Sequence, residues 1–189
     1  MIKMFRMSDI IRSGFVKAKR MRRNEDGATA VEFGLIAFPF FLILFSIMEV
    51  SLVFFANQIL DNSVSDAARL IRTGQAQAAN FSKADFQNQV CAGLAVIFDC
   101  SKNKVYVDVQ TFSKFSDVTI SEPIQNDQTV DNNFGGYDDG GPETIVVARV
   151  YIEWPLVTGF IQTGLSNLAS HNRLLASVST FRTEPFPDP

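Results

Sequence analysis

An almost wholly apolar run of 24 residues, 33–56, constrains the fold of this chain more than any other feature of its sequence. As an α-helix this run would be about 36 Å long, which is enough to cross a bilayer once. The preceding segment 1–27 carries eight basic residues against three acidic ones. Because basic flanks stay on the cytoplasmic side of a membrane, we predict a single-pass protein with its amino terminus in the cytoplasm.

Two carboxylates show that the apolar run is more than a passive anchor. Glu32 lies at its beginning and Glu49 lies deep inside it. An acidic side chain in the hydrocarbon costs about 2.5–3.5 kcal/mol on the insertion scale, so each needs a partner or access to water. On position alone, an interfacial Glu32 that reaches the headgroups is as well supported as a functional one. For Glu49, position favours snorkelling to the interface or pairing with another helix.

The junction between the basic segment and the apolar run resembles the processing site of type IV prepilins, especially those of the Flp class. Gly27 is followed five and six positions later by Glu32 and Phe33. Residues 27–77 as a whole, with 172–186 near the carboxyl end, are similar to TadE-family proteins, the minor pseudopilin-like components of tight-adherence pilus systems. The basic segment, the single membrane span and the continuation DNSVSDAARLIRTGQAQ make this resemblance specific.

The resemblance implies that an aspartyl prepilin peptidase cleaves between Gly27 and Ala28 on the cytoplasmic face and removes residues 1–27 as a leader. It implies that Glu32 then pairs with the new amine of a neighbouring subunit and sets axial register. Phe33 and the apolar residues after it would pack laterally. The implied partners are the membrane, the peptidase, other pilins and pseudopilins, and proteins of the pilus assembly platform.

Three other kinds of protein are alternatives to a subunit that is cleaved and then assembled into a pilus. An uncleaved chain would be a permanently anchored structural protein of the secretion platform. A membrane-tethered ligand-binding domain is a further class. A secretory signal peptide does not fit, because the apolar run is much longer than the usual core of about 7–15 residues.

Residues 57–189 are predicted to form one periplasmic α+β domain beyond the membrane helix, which we place at 28–56. Outside the basic segment the chain has nine basic and 17 acidic residues, so this domain is acidic. Because phosphate backbones are bound by basic surfaces, nucleic acid is not expected as a partner.

Apolar residues at helical spacing extend the membrane helix beyond residue 56 as far as Gly74, in the manner of a pilin's first helix. Pro39 is expected to bend this helix. A second helix is predicted to begin at Ser82, whose hydroxyl can cap the backbone amides together with Asp85. The domain should therefore hold two helices, the first shared with the membrane.

Three segments have the pattern of strands in an antiparallel sheet of three or four strands, packed on the two helices. Segment 104–112 alternates as a half-buried strand does, 144–154 is a longer β-branched run, and 173–182 is the third segment. Between the last two, Leu165 and Leu168 belong to a predicted short helix that follows Pro155. We expect this helix to be buried in the domain, the alternative being contact with the membrane surface or a partner.

Cys91 and Cys100 are the only cysteines of the chain. In an oxidising compartment they can form a disulfide whose loop closure is worth about 2.5–3 kcal/mol. Free or metal-binding thiols are the alternative. His171 is the only histidine and no CxxC motif is present, so a zinc site is not expected.

The segment 122–142 is predicted to be a long polar loop. Its carboxylates, Asp127, Asp131, Asp138 and Asp139, raise the question of calcium, although their spacing fits no complete EF-hand. We favour a flexible loop, with an exposed contact surface for pilus components as a further possibility. The sequence has no phosphate loop, dinucleotide fingerprint, HExxH or nucleophile elbow, so we predict no enzyme and no cofactor.

Overall fold

The structure is a computed structural model that describes residues 27–119, 123–131, 133–157 and 164–187. Its elements in chain order are α1 (Ala28–Arg72), α2 (Gln75–Ala78), α3 (Lys83–Leu94), β1 (Val105–Phe112), a 3-10 turn (Phe115–Asp117), β2 (Ile145–Trp154) and β3 (Arg173–Arg182). The predicted α+β class is confirmed, with its long amino-terminal helix, second helix and three-stranded antiparallel sheet.

The long helix α1 is continuous for 45 residues and passes through Pro39 without a break. Chain packing divides the molecule into two compact units, 1–47 and 48–189. The second unit therefore begins inside the segment predicted to cross the membrane. That the membrane-spanning part of α1 ends at residue 56 stays a prediction. Residues 1–26 of the predicted leader lie outside the described residues.

The sheet has the strand order β1-β2-β3, and one of its faces packs on α3 and on the carboxyl-terminal half of α1. This main core contains apolar side chains from both helices and from alternate positions of the strands. Its most enclosed members are Leu60, Val64, Ile71, Phe86, Val90, Leu94, Val107, Val109, Val146, Ala148, Val150 and Ile152. At one point the helices approach closely, since a Cβ on Gly93 of α3 would lie 2.3 Å from the Ser63 hydroxyl oxygen of α1.

The second face of the sheet is also covered, which the sequence did not predict. Four successive residues of β1, 106–109, are buried, so the prediction of a half-buried strand at 104–112 is wrong. Tyr106 and Tyr151 form a second apolar cluster with Val130, Leu168 and Leu174. The polar segment after β1 supplies part of this cover, and therefore both faces of the sheet are removed from water.

The described part of segment 122–142 is docked on β1 and is not the freely flexible loop that we favoured. The Gly136 carbonyl accepts a hydrogen bond from the Val109 amide at 3.0 Å, and the Gly135 carbonyl accepts one from Lys83 Nζ at 2.7 Å. Gly135 has φ +90°, and a Cβ there would lie 2.2 Å from a backbone oxygen of β1. Only glycine permits so close an approach in this conformation.

The connection from β2 to β3 differs from the predicted short helix. Residues 158–163 of that prediction lie outside the described residues, and 164–172 are irregular. Leu168 is buried in the second apolar cluster and Leu165 is half-buried. The expected burial within the domain is thus confirmed for Leu168, although its backbone is not helical.

The second predicted helix begins at the predicted residue and has the predicted cap. The Ser82 hydroxyl accepts a hydrogen bond from the Asp85 amide, and the Asp85 carboxylate accepts one from the Ser82 amide at 2.9 Å. The Ser82 hydroxyl also donates to this carboxylate at 2.6 Å, and these bonds from Ser82 lower the pKa of Asp85. The capping box fixes the start of α3 next to the core residue Phe86.

Ser82→Ala is expected to lower the free energy of unfolding by about 1 kcal/mol at neutral pH, because the first turn of α3 loses its cap. The Asp85 pKa is depressed in the folded state, so its contribution exists above the unfolded pKa and disappears as pH falls through the folded value. Urea titrations between pH 7 and pH 2 should therefore show a shallower acid decline for the variant. Parallel stability curves would contradict this assignment.

Candidate assembly site

The predicted processing residues occupy the exposed beginning of α1. Gly27 directly precedes the helix, and a Cβ placed on it would contact nothing within 4 Å. Ala28 is the first helical residue, and Glu32 and Phe33 are exposed in the turns that follow. The Glu32 carboxylate forms no hydrogen bond or ion pair with any other residue that the structure describes. Packing therefore gives no reason for a glycine at 27 or a carboxylate at 32.

An exposed apolar surface follows these residues along α1. An 18-residue window within the helix has a mean hydropathy of 2.3, and the helix is long and apolar enough to cross a membrane. Its large exposed side chains up to residue 47 are Val31, Phe33, Leu35, Ile36, Phe38, Phe40, Phe41, Ile43, Leu44, Phe45 and Ile47. So long an apolar surface needs a nonaqueous environment, and α1 indicates a membrane anchor.

Glu49 has a partner within its own chain, which corrects the expectation of snorkelling or of pairing with another helix. Its side chain is only 6% exposed, and its Oε1 accepts a hydrogen bond from the backbone amide of Val157. Glu49 and Val157 both belong to the compact unit 48–189. The carboxylate ties α1 to the segment that follows β2, and periodicity along the sequence gives no sign of this contact.

A second tie joins the other end of the sheet to the end of α1. The Arg72 carbonyl accepts a hydrogen bond from the Glu184 amide at 2.8 Å, and the Thr144 carbonyl accepts one from the Thr183 amide at 2.9 Å. β2 runs from Ile145 to Trp154, so its beginning lies at the Arg72 end of α1 and its end at the Glu49 end. The 23 helical steps from Glu49 to Arg72 span about 35 Å, which is close to the length of a ten-residue strand, about 33 Å.

A buried ion pair lies on the second face of the sheet. Asp108 and Arg149 are directly opposite in the β1–β2 register, with Arg149 Nη2 2.5 Å from Asp108 Oδ2. Both side chains are 1% exposed. Asp108 Oδ1 also accepts the Gly136 amide at 2.9 Å, and Arg149 Nη1 donates to the Thr119 carbonyl at 3.1 Å. The pair thus binds the covering segment to the sheet.

Sequence reasoning missed this pair because it took 104–112 for a half-buried strand, in which Asp108 alternates with the apolar Val107 and Val109 and would face solvent. The sequence of β2 nevertheless indicates a buried ion pair. Arg149 is the one charged residue between Ile145 and Ile152, in a strand whose first eight residues are all buried. A charge in the middle of such a strand calls for a buried opposite charge, since an unpaired one would be very costly.

Cys91 of α3 and Cys100 before β1 form a disulfide bond, which confirms the predicted pairing. The chain has two cysteines, so the free-thiol and metal-binding alternatives do not apply to this oxidised form. Cys100 packs against the main core. The bond closes the end of α3 onto the turn that leads into the sheet.

The carboxylates of the polar segment form hydrogen bonds within the segment and with β1. Asp127 accepts hydrogen bonds from the Thr129 hydroxyl and amide, which lower its pKa. Asp138 accepts the Thr111 hydroxyl at 2.5 Å, and burial raises the pKa of Asp139. No group of three or more histidine, cysteine or acidic side chains suited to a metal ion occurs within the described residues.

Comparison with known proteins identifies the amino-terminal part of the chain. The family model described as TadE-like protein matches residues 27–69, which confirms the resemblance for this part of the chain, whereas residues 172–186 lie outside the match. The match begins at Gly27 and ends within α1. It implies a component associated with the Tad pilus, and proteins of this kind are structural proteins and not enzymes. No curated protein and no solved structure matches the chain.

Proposed function

We propose that this chain, whose residues 27–69 match the TadE-like family, is a minor pseudopilin needed to assemble a tight-adherence pilus or secretion apparatus. Prepilin peptidase removes residues 1–27. The mature protein stays in the inner membrane, with its amino terminus at the cytoplasmic face and its domain in the periplasm, or enters the pilus. The proposal rests on one observation: Gly27 and Glu32 are exposed at the start of a 45-residue helix whose packing requires neither.

The beginning of α1 supplies the chemistry of assembly. Cleavage after Gly27 leaves an amine on Ala28, and Glu32 follows one helical turn later. A carboxylate and an ammonium group attract strongly where the dielectric constant is low, so pairing between neighbouring subunits neutralises both charges and defines register. The exposed apolar surface of α1 then packs laterally against the helices of pilins or of the assembly platform.

The domain supports a periplasmic location. Disulfide bonds persist in oxidising compartments, which include the bacterial periplasm, and are rare in the cytoplasm. Cys91 and Cys100 form such a bond in the compact unit 48–189, at positions that follow the predicted membrane helix 28–56. The acidic composition of the same part of the chain suits contacts with other proteins and not with nucleic acid.

Gly27→Val is expected to abolish maturation, because a branched side chain at the cleaved bond obstructs the extended backbone in a protease cleft. The measurement is the amino-terminal sequence of protein from native membranes, with and without the host's prepilin peptidase. The parent chain should begin at Ala28 only when the peptidase is present. Gly34→Val is the matched control, since a Cβ at Gly34 also contacts nothing within 4 Å, and it should still be cleaved.

Glu32→Ala separates assembly from processing in the same strains. This variant should be inserted and cleaved but should support few or no pili, because the new amine lacks its partner. A terminus at Met1 in every strain would refute the pseudopilin role. It would identify a permanently anchored structural protein of the platform, the second candidate. Normal piliation with Glu32→Ala would refute the role of the carboxylate in register.

A further inference from the structure

One end of the sheet is tied to α1 at a defined level along the helix. The Val157 amide donates to Glu49, so the residues that follow β2 lie beside α1 at residue 49, about six helical turns after Ala28. The Arg72 tie described above places the opposite end of the sheet at the far end of the helix. Trp154 and Val157 are therefore at the Glu49 end of the compact unit 48–189, opposite the Arg72 end.

Exposed apolar side chains of α1 continue beyond Glu49, the residue that binds the Val157 amide. Leu52, Phe54 and Phe55 are all more than half exposed, and Phe54 reaches 72%. From Ala28 to Phe55 the helix rises about 41 Å, which equals the thickness of a bilayer with its headgroup layers, about 40–45 Å. Glu49 then lies about 9 Å below the outer boundary, close to the level where the outer headgroup layer, about 5–8 Å thick, meets the acyl chains.

The base of the domain offers apolar and aromatic groups at that depth. The Val157 side chain is 82% exposed, although its backbone is tied down. Trp154 is half-buried and stacks on Phe98, with 6.4 Å between the ring centroids. Tryptophan is enriched at membrane interfaces, where an indole can contact acyl chains and headgroups together.

We propose that the base of the domain, residues 154–157, is inserted in the headgroup layer of the outer leaflet. Lipid is the occupant because Glu49, which binds this segment, lies three to six residues before the exposed apolar side chains Leu52, Phe54 and Phe55 of the same helix. Glu49 holds the segment at this depth by binding the Val157 amide, so the domain rests on the membrane instead of projecting on a free stalk. The inference depends on membrane anchoring by α1 and not on cleavage after Gly27.

The single tryptophan of the chain makes this contact measurable. Full-length protein is reconstituted into phosphatidylcholine vesicles whose acyl chains carry bromine either near the glycerol end or near the methyl end. Trp154 fluorescence should be strongly quenched by bromine near the glycerol end and less by bromine near the methyl end. Resistance to alkaline carbonate extraction establishes that α1 has been inserted.

Two charge substitutions localise the contact. Val157→Asp should reduce the quenching, because an anionic side chain is expelled from the interface. Phe115→Asp is the control, since Phe115 is exposed and follows the far end of β1, and it should leave the quenching unchanged.

The outcomes distinguish this inference from the proposed function. Carbonate-resistant protein with unquenched Trp154 would overturn the interfacial position and leave the pseudopilin role standing. Equal quenching of the parent and Val157→Asp chains would overturn the contact at residue 157. Extraction by carbonate would overturn membrane anchoring and this inference with it.

Discussion

Replacing Arg149 by methionine is expected to lower the free energy of unfolding by about 3–5 kcal/mol. The substitution leaves the Asp108 carboxylate 1% exposed beside the sheet without the guanidinium 2.5 Å away. Burying an unpaired charge is far more costly than losing the attraction itself. Because Asp108 also receives the Gly136 amide, the covering segment 133–138 should loosen as well. Urea unfolding of the full chain in detergent, followed by Trp154 fluorescence, measures the loss.

Two further variants test whether the unpaired charge of Asp108 causes the loss of stability. Asp108→Asn combined with Arg149→Met removes both charges and keeps an amide oxygen for the Gly136 amide, so it should be more stable than Arg149→Met alone. Arg182→Met replaces an exposed arginine at the end of β3 and should change stability by about 0.5 kcal/mol or less. A loss for Arg149→Met no larger than for Arg182→Met would contradict the importance of the pair.

Reduction of the Cys91–Cys100 disulfide is expected to cost about 2.5–3 kcal/mol. The bond spans nine residues of sequence, and opening it frees the unfolded chain to adopt conformations that the closed loop forbids. Because Cys100 packs on the main core, opening should also loosen the turn into β1. Thermal unfolding of the full chain with and without dithiothreitol should show a decrease on the order of 10 °C.

The variant that lacks both thiols controls for effects of the reductant. Cys91→Ser with Cys100→Ser should unfold at the temperature of the reduced parent chain, and dithiothreitol should not change it. If alkylating reagent modifies both thiols of membrane-isolated protein before reduction, the bond does not form in the cell. That result would also weaken the argument for an oxidising compartment.

Local elements of this protein could be read from the sequence because their causes are local. The capping box at Ser82 and Asp85 depends on four consecutive residues, and it begins α3 where predicted. The three predicted strand segments differ from β1, β2 and β3 by at most one residue at an end, because β-branched runs bounded by turn residues define strands. The beginning of the candidate site, Gly27 to Phe33, is likewise a contiguous motif.

Other features depend on distant segments and could not be read from spacing. Asp108 was expected to face solvent, because the alternation of residues in β1 does not show that residues 123–138 cover that face of the sheet. Glu49 was expected to snorkel to the interface or to pair with another helix, because its partner, the Val157 amide, is 108 residues away in the chain. The same argument applies to the docked polar segment, since its composition alone is typical of a solvated loop.

The sequence by itself therefore determined the apolar helix, the elements of the domain, the processing motif and the nearby cysteine pair. Only the tertiary structure decided which polar groups are buried and what they bind. The physical reason is that helix, strand and cap preferences act over a few residues, whereas burial of a charge depends on what covers it. For Glu49, Asp108 and Arg149, the covering groups come from distant parts of the chain.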